Sequence, residues 1–485
     1  MKFRYIKHLN LLFTTLIMFI NSTKAIDYNV DKFGAKGDGL TLDTKAIQSA
    51  IDSCTITGGR VIFTNGQFVS GTIYLKSNVT LFVERGAAII GSTNIVDYPH
   101  NKLDFRFFGD TWVSQSLIFA HNVENIAIEG NGTIDGRGAT FLVNTKKKPD
   151  KYMNRPYLLW IAGCKRVSVK GIELRNSAMW MQSYIRCDGL RIEDINVFNH
   201  SNHNNDMMDI DGCRNVVINN IIGDTDDDGI TFKSTCDRIS ENIVVSNCLL
   251  SSHCNALKFG TESTAGFRNV SISNCVIRPS EVKTNISGST EGTAGLAVEI
   301  VDGGLMENIN ISNFVIDGPI VPLFIRLGNR ARKHFIEAPQ PKIGNMNGIN
   351  ISNVIARSSG KFSSSIIGVE GGNIENITLS DIHFILAGGG TLREAEAKVE
   401  EFPSEYPEAT MFGCLPSSAL YVRHVKGIHL SNITFELKNN DARPLMFFDD
   451  VLHSKISDTF KTGIPTIDLL KQIHCTDIKI TNSND

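Results

Sequence analysis

At eight places along the chain one pattern returns: a corner residue, two apolar residues with one position between them, a Ser-Asn-like pair, and a second short apolar run. These are NIAIEGNGTI from Asn125, NVVINNII from Asn215, NIVVSNCLL from Asn242, NVSISNCVI from Asn269, NINISNFVI from Asn308, GINISNVI from Gly348, NITLSDIHF from Asn376 and GIHLSNITF from Gly427. From Asn215 to Asn242 to Asn269 the step is 27 residues, and insertions lengthen it elsewhere. Alternation with period two marks strands buried on one face. A fixed period of this size, with β-branched strands and Asn, Gly or Ser at the corners, marks a solenoid whose turns bury apolar faces only against their neighbours. Long amphipathic helices between strands are absent, which disfavours a doubly wound sheet or a TIM barrel. The expected architecture is all-β: a right-handed parallel β-helix forming a single domain, although length alone would suggest two or three.

A solenoid needs closed ends. Residues 26–60 are expected to form an N-terminal cap, in which Asp43 to Cys54 reads as a short amphipathic helix with Ala46, Ile47, Ala50 and Ile51 on one face and Asp43 as N-cap. Residues 450–485 are expected to close the other end. Residues 388–417 interrupt the repeat with an acidic, potentially helical piece, LREAEAKVEEF, and a Pro-containing loop. Such an insertion either lines a binding site or covers a sheet face.

Residues 1–25 read as a secretory signal peptide: Lys2, Arg4 and Lys7, an apolar run from Leu11 to Ile20, and small residues around Lys24. No later apolar run approaches the roughly 18 residues of a membrane span. Without its four cations the formal charge passes from -3 to about -7, since -3 minus 4 is -7. A mildly acidic exported chain lacks the basic surface that nucleic acid requires. A secreted or periplasmic monomer is therefore expected, with no nucleic-acid or membrane partner. The ten cysteines allow disulfides in such a compartment. However, Cys164, Cys187 and Cys213 precede repeat strands, and Cys248 and Cys275 hold equivalent places in consecutive repeats. Columns of small buried side chains are the expected reading. There is no CxxC and the histidines lack ligand spacing, so neither metal nor cofactor is expected.

Candidate chemistry concentrates between Asn204 and Ser263. Asp206, Asp227 and Asp228 flank the short alternating runs MMDID and GITFK, and NALKF follows. The 21 residues from Asp206 to Asp227 are about one coil, so the three carboxylates are expected on one face of successive rungs. Paired carboxylates suit glycoside hydrolysis, in which an acid protonates the leaving oxygen and a base activates water across about 6.5–9.5 Å when the configuration inverts. Crowding them raises at least one pKa. Asp209, Asp211, Asp224 and Asp226 read instead as turn-capping residues.

The segment NVDKFGAKGDGLTLDTKAIQSAID resembles an N-terminal signature of exported β-helix proteins. NNDMMDID followed by DDGITFKS resembles the paired motifs of glycoside hydrolase family 28, the polygalacturonases and rhamnogalacturonan hydrolases. PLFIRLGNRAR from Pro322, the stretch from Glu400 to Val425 and RPLMFFDDV from Arg443 resemble a bacterial subgroup of polygalacturonase-like members. The resemblance implies an exported glycosidase acting on pectin-type acidic polysaccharide, with Asp227 as general acid and Asp206 and Asp228 activating water.

Two departures accompany it. Where the family carries Gly-His-Gly, this chain has Cys254-Asn255-Ala256, so either His253 or Asn255 stands in for the histidine. Where the family carries Arg-Ile-Lys for a uronate, this chain has Ala297-Val298-Glu299. Counted alternation places Lys258, Glu299 and Arg326 in one outward column, a cation-anion-cation ladder with Lys258 or Arg326 contacting an acidic sugar. Arg423 and His424 are weaker candidates for that face. Attack at chain ends and attack within chains both remain open, as do a β-helix lyase using Ca²⁺ and a noncatalytic carbohydrate-binding protein.

Overall fold

A computed structural model describes residues 26–148, 150–463 and 468–481. The leader-like segment, residues 1–25, lies outside these. The strands coil into a prism with three parallel faces, each rung pairing with the next. Inside, Ile126, Val167, Leu190, Val216, Ile243, Val270, Ile309, Ile349, Ile377 and Ile428 stack in register, all buried. Burying each such side chain contributes about 1.5–3 kcal/mol, and stacking makes every rung depend on its neighbours.

The corner residue of the repeat has a backbone reason. Asn125, Asn215, Asn242, Asn269, Asn308 and Asn376 all have φ between 54° and 58°, and Gly348 and Gly427 occupy the same place at 75° and 77°. That left-handed conformation is one that Asn and Gly accept readily. The Asn side chains then form a ladder, Asn242 to Asn215 at 3.3 Å, Asn269 to Asn242 at 3.1 Å and Asn308 to Asn269 at 3.0 Å.

Helix α1 (Thr44–Thr57) covers the first coil with Ile47, Ala50, Ile51 and Cys54. Asp43 stands before it without capping it by side chain. Its carboxylate instead accepts the Lys36 and Gly37 N–H groups at 2.8 and 3.0 Å, fastening the preceding loop. At the other end, where residues 450–485 are expected to form a cap, the described residues include further strands. Leu470–Ile473 pairs with Met446–Asp449, and Thr476–Thr481 pairs with Leu452–Ser457, so the chain adds rungs there. The cysteines are free, and Cys164, Cys187, Cys213, Cys248 and Cys275 are buried. No helix among the described residues is long and apolar enough to cross a membrane.

One face carries the candidate site. Its rungs are β1 (Gln182–Ile185), β2 (Met208–Asp211), β3 (Ile230–Ser234), β4 (Asn255–Ser263), β5 (Ala294–Ile300), β6 (Val321–Leu327), β7 (Ser364–Ile367) and β8 (Leu420–Leu437).

Candidate active site

Backbone bonds align the corners that open β2, β3 and β4. Met207 N–H donates to the Asp228 carbonyl at 2.8 Å, and Gly229 N–H donates to that of Asn255 at 2.8 Å. Asp206, Asp228 and Asn255 therefore stand on successive rungs, with Asp227 beside Asp228. One oxygen each of Asp227 and Asp228 and the Cys254 sulfur lie within 4.8 Å of one another. The two carboxylates are thus close neighbours.

The two adjacent aspartates live in different environments. Asp228 accepts from Asn255 Nδ2 at 2.7 Å, the Asn255 N–H at 3.2 Å and Lys258 Nζ at 2.9 Å. Asp228 is thus held by three donors, one of them charged. Asp227 accepts the Asp228 N–H at 3.0 Å and is paired to no cation among the described residues. Burial, then the charge of Asp228, pushes its pKa up to about 6. Asp206 touches Lys233 Nζ at 3.4 Å, yet burial and the neighbouring carboxylates of Asp209, Asp227 and Asp228 raise it. The arrangement sets a carboxyl group of raised pKa beside one held by three donors, which is the raw material of acid-base hydrolysis.

Of the two residues that could stand in for the histidine, Asn255 is the one that binds Asp228. His253 does not face the carboxylates. Its ring is wholly buried, with Nδ1 3.0 Å from Asp226 and Nε2 3.0 Å from the Val282 carbonyl. Burial opposes its charge, but these two acceptors outweigh that and raise its pKa. The corner before β4 breaks the alternation on which a shared side for His253 and Asn255 depended. His253, His200 and Asp226 do bring ligand-type atoms within 4.8 Å. Both nitrogens of His253 are already committed within the protein, so the cluster is not assigned as a metal centre.

The expected ladder is displaced by one pleat. Lys258 pairs in register with Ala297, whereas Glu299 pairs with Arg326. Farther along β4 the ladder to β3 is irregular: Phe232 faces Phe259 but Ser234 faces Ser263, so β4 carries two extra residues after Phe259. Such bulges re-aim side chains near sites, and here the bulge sends Glu262 toward Lys233 and Arg332 at 3.9 and 2.8 Å. Glu299 is buried, its pKa pushed by burial to about 8, and its Oε2 lacks a hydrogen-bond partner. Arg326, 1% exposed, donates to the carbonyls of Gly368, Glu401 and Phe402 at 2.7, 2.9 and 3.0 Å. Arg423 donates to those of Val399 and Glu400, both at 2.8 Å, and His424 lies between Asp450 and Glu401. All three therefore anchor the 388–417 insertion.

That insertion lies over Ala297, where the family resemblance leads one to expect a basic residue. It contains a single short helix, α2 (Leu392–Ala395), and then lies across the face. Ala409, Met411 and Phe412 pack on Ala297 and Phe324, the residues stacked beyond Lys258. A position covered by apolar chain has no use for a cation. Tyr406 from the same insertion reaches Lys258, with its hydroxyl 3.4 Å from Nζ. On the other side, Leu103, Phe107 and Val113 pack on Phe119 and Trp160, covering earlier rungs.

Between these two covers lies a cavity of about 380 Å³. Aromatic rings of Phe108, Trp112, Tyr152, Tyr157, Trp180 and Tyr406 line it, together with Asp209, Asp211, Lys233 and Glu262. It adjoins the carboxylates through Lys233, which touches both Asp206 and Asp209, at 3.4 and 3.3 Å. Asp209 and Asp211 thus line the cavity from β2; Asp209 is a strand residue that caps no turn, whereas Asp211 accepts the Thr235 N–H at 2.8 Å and so holds the corner after β3. Asp226 does hold a loop, accepting the Ile286 and Ser287 N–H groups, both at 2.8 Å. The aromatic run FRFFGDTWV from Phe105 to Val113 is the sequence signal by which the cover over the early rungs could have been found.

A family model, Glycosyl hydrolases family 28, matches residues 107–406. An exo-poly-alpha-D-galacturonosidase of Dickeya chrysanthemi is 29% identical over 260 residues, spanning 48% of this chain and 41% of that protein. A probable polygalacturonase of Vitis vinifera is 26% identical over 389 residues, 76% of each chain. The solved structure of an exopolygalacturonase from Thermotoga maritima superposes with a TM-score of 0.64 at 22% identity, covering 84% of this chain and 91% of the other. The shared fold is the right-handed parallel β-helix.

Proposed function

The chain belongs to glycosyl hydrolase family 28, and from that premise we propose that it is a secreted or periplasmic glycosidase cleaving pectin-type acidic polysaccharide from a chain end, with inversion. The observation that carries the mechanism is the unequal setting of Asp227 and Asp228. Asp227, held protonated, gives its proton to the glycosidic oxygen as the bond from C1 to that oxygen breaks. A water attacks C1 from the opposite face and yields a proton to Asp228 or Asp206. Solvent then returns a proton to Asp227.

Asp206 and Asp228 stand on adjacent rungs and offer one water two acceptors, while Asp228 is already tied to Lys258 and Asn255. This favours water over direct carboxylate attack. Action at chain ends is supported by the covers on both sides, which leave a pocket near the low end of ligand-site volumes rather than a running groove. The test is incubation with polygalacturonate, rhamnogalacturonan and neutral glycans, with products read by mass and by anomeric configuration. Inverted monosaccharide or disaccharide products from an acidic polymer are expected. Retained configuration overturns the roles of Asp206 and Asp228, and an early burst of long oligomers overturns action at chain ends.

A further inference from the structure

The cavity must recognise a charged sugar if the substrate is a uronate, and the strand pair that does this elsewhere in the family is absent and its place covered. Three cations line the cavity: Lys148, Lys233 and Arg332. Lys233 is shared by Asp206, Asp209 and Glu262 and has no spare capacity for a substrate anion. Arg332 is fixed rather than saturated. Its Nε and Nη2 serve Asp302 and Glu262, its guanidinium lies 4.0 Å from the Phe108 ring centre, and Nη1 donates to no protein group among the described residues. Lys148 stands on the exposed rim, makes no ion pair among the described residues, and has its Nζ 5.8 Å from the centre of the Tyr152 ring.

The electrostatics run the same way. Burial and the repulsion of Arg332, Arg330 and Lys233 lower the Lys148 pKa, although Glu262 pulls upward. Burial also holds Asp209 at about 7 and Asp211 at about 6, so below those values the cations outnumber the ionised acids around the cavity. A cavity that collects cations without matching them is short of an anion. A planar guanidinium preset on an aromatic ring presents a fixed donor to a carboxylate, and a mobile rim ammonium can close on it from the side.

We propose that Lys148 and Arg332 form the carboxylate-reading pair for a uronate ring seated in this cavity, taking over the task of the absent strand pair. This rests on the pectic reading of the site. Since Lys148 is exposed and makes no ion pair among the described residues, Lys148→Met is the clean probe, and Arg332→Lys keeps a charge near Glu262 while losing the fixed fork. In an Asp227→Asn background, calorimetric titration with digalacturonate should show at least tenfold weaker binding on adding Lys148→Met, whereas the carboxyl-reduced disaccharide should bind alike to both proteins. In the active enzyme, the ratio of kcat/KM for the acid to that for its methyl ester should fall about tenfold in each variant, chiefly through KM. Unchanged ratios and affinities, in an enzyme that cleaves galacturonides, overturn the assignment alone. Failure of the wild-type protein to bind or cleave any galacturonide overturns the pectic reading and this assignment with it.

Discussion

Replacing Arg326 by Met separates two roles for this residue, a sugar contact and an anchor. Met preserves much of the aliphatic stem and removes the guanidinium, whose close acceptors are the carbonyls of Gly368, Glu401 and Phe402 at 2.7, 2.9 and 3.0 Å. The Gly368 carbonyl stays beneath the insertion, and leaving a buried acceptor unpaired costs about 1–3 kcal/mol. The other two belong to the insertion and regain water if it lifts. Hydrogen bonds from a charged donor contribute about 1.5–3 kcal/mol each. Losing two of them, with partial compensation by water, raises the lifted population on the order of a hundredfold. Arg423 and the Asn329 N–H still hold Val399, Glu400 and Pro403, so the segment loosens rather than detaches.

Hydrogen-deuterium exchange across residues 396–412 reads the loosening directly, and urea denaturation should show a loss of about 1–3 kcal/mol. Lifting Ala409, Met411 and Phe412 from Ala297 and Phe324 also uncovers the face beyond Lys258. Products from polygalacturonate should then shift from the shortest sugars toward longer oligomers. The reasoning is refuted if exchange and product lengths are unchanged while KM for galacturonides rises. That result would return Arg326 to the sugar-binding role expected from sequence.

Asp227→Asn should lower kcat by roughly 10²–10⁴ with KM little changed, measured on oligogalacturonides, because general acid catalysis contributes about that much. The wild-type kcat/KM should hold on the alkaline side only up to about pH 6 and then fall: the active form is protonated Asp227, whose pKa is raised to about 6 by burial and then by Asp228. An alkaline limb below pH 5 would contradict that assignment. Asn242→Ala should destabilise the coil by about 1–2 kcal/mol in urea titrations, since its φ of 58° disfavours a Cβ without a local hydrogen bond, whereas Asn242→Gly should cost less.

How far the fold could be read from sequence depends on where each residue sits relative to the regular coil. The corner asparagines are visible because one backbone conformation recurs every rung, so residue type and spacing report the same fact. Asp206, Asp227 and Asp228 lie where successive corners align by backbone bonds, and counting one coil was enough to bring them together. Counting failed wherever the coil departs from its period. The step from β4 to β5 sets Lys258 opposite Ala297, and the two extra residues after Phe259 hand Glu262 to Lys233 and Arg332, contacts that no alternation encodes. His253 fails for a related reason: it belongs to a corner, where the chain turns and period two no longer sets the side. Asp209 errs in the opposite sense, being a strand residue that composition alone made look like a turn. Arg326 shows the remaining limit. Its outward direction and its pairing with Glu299 were read correctly, but its partners lie as much as 76 residues away, in an insertion outside the repeat. A charged residue on a solenoid face declares only its direction, and whether sugar or protein meets it is decided by chain that the period does not describe.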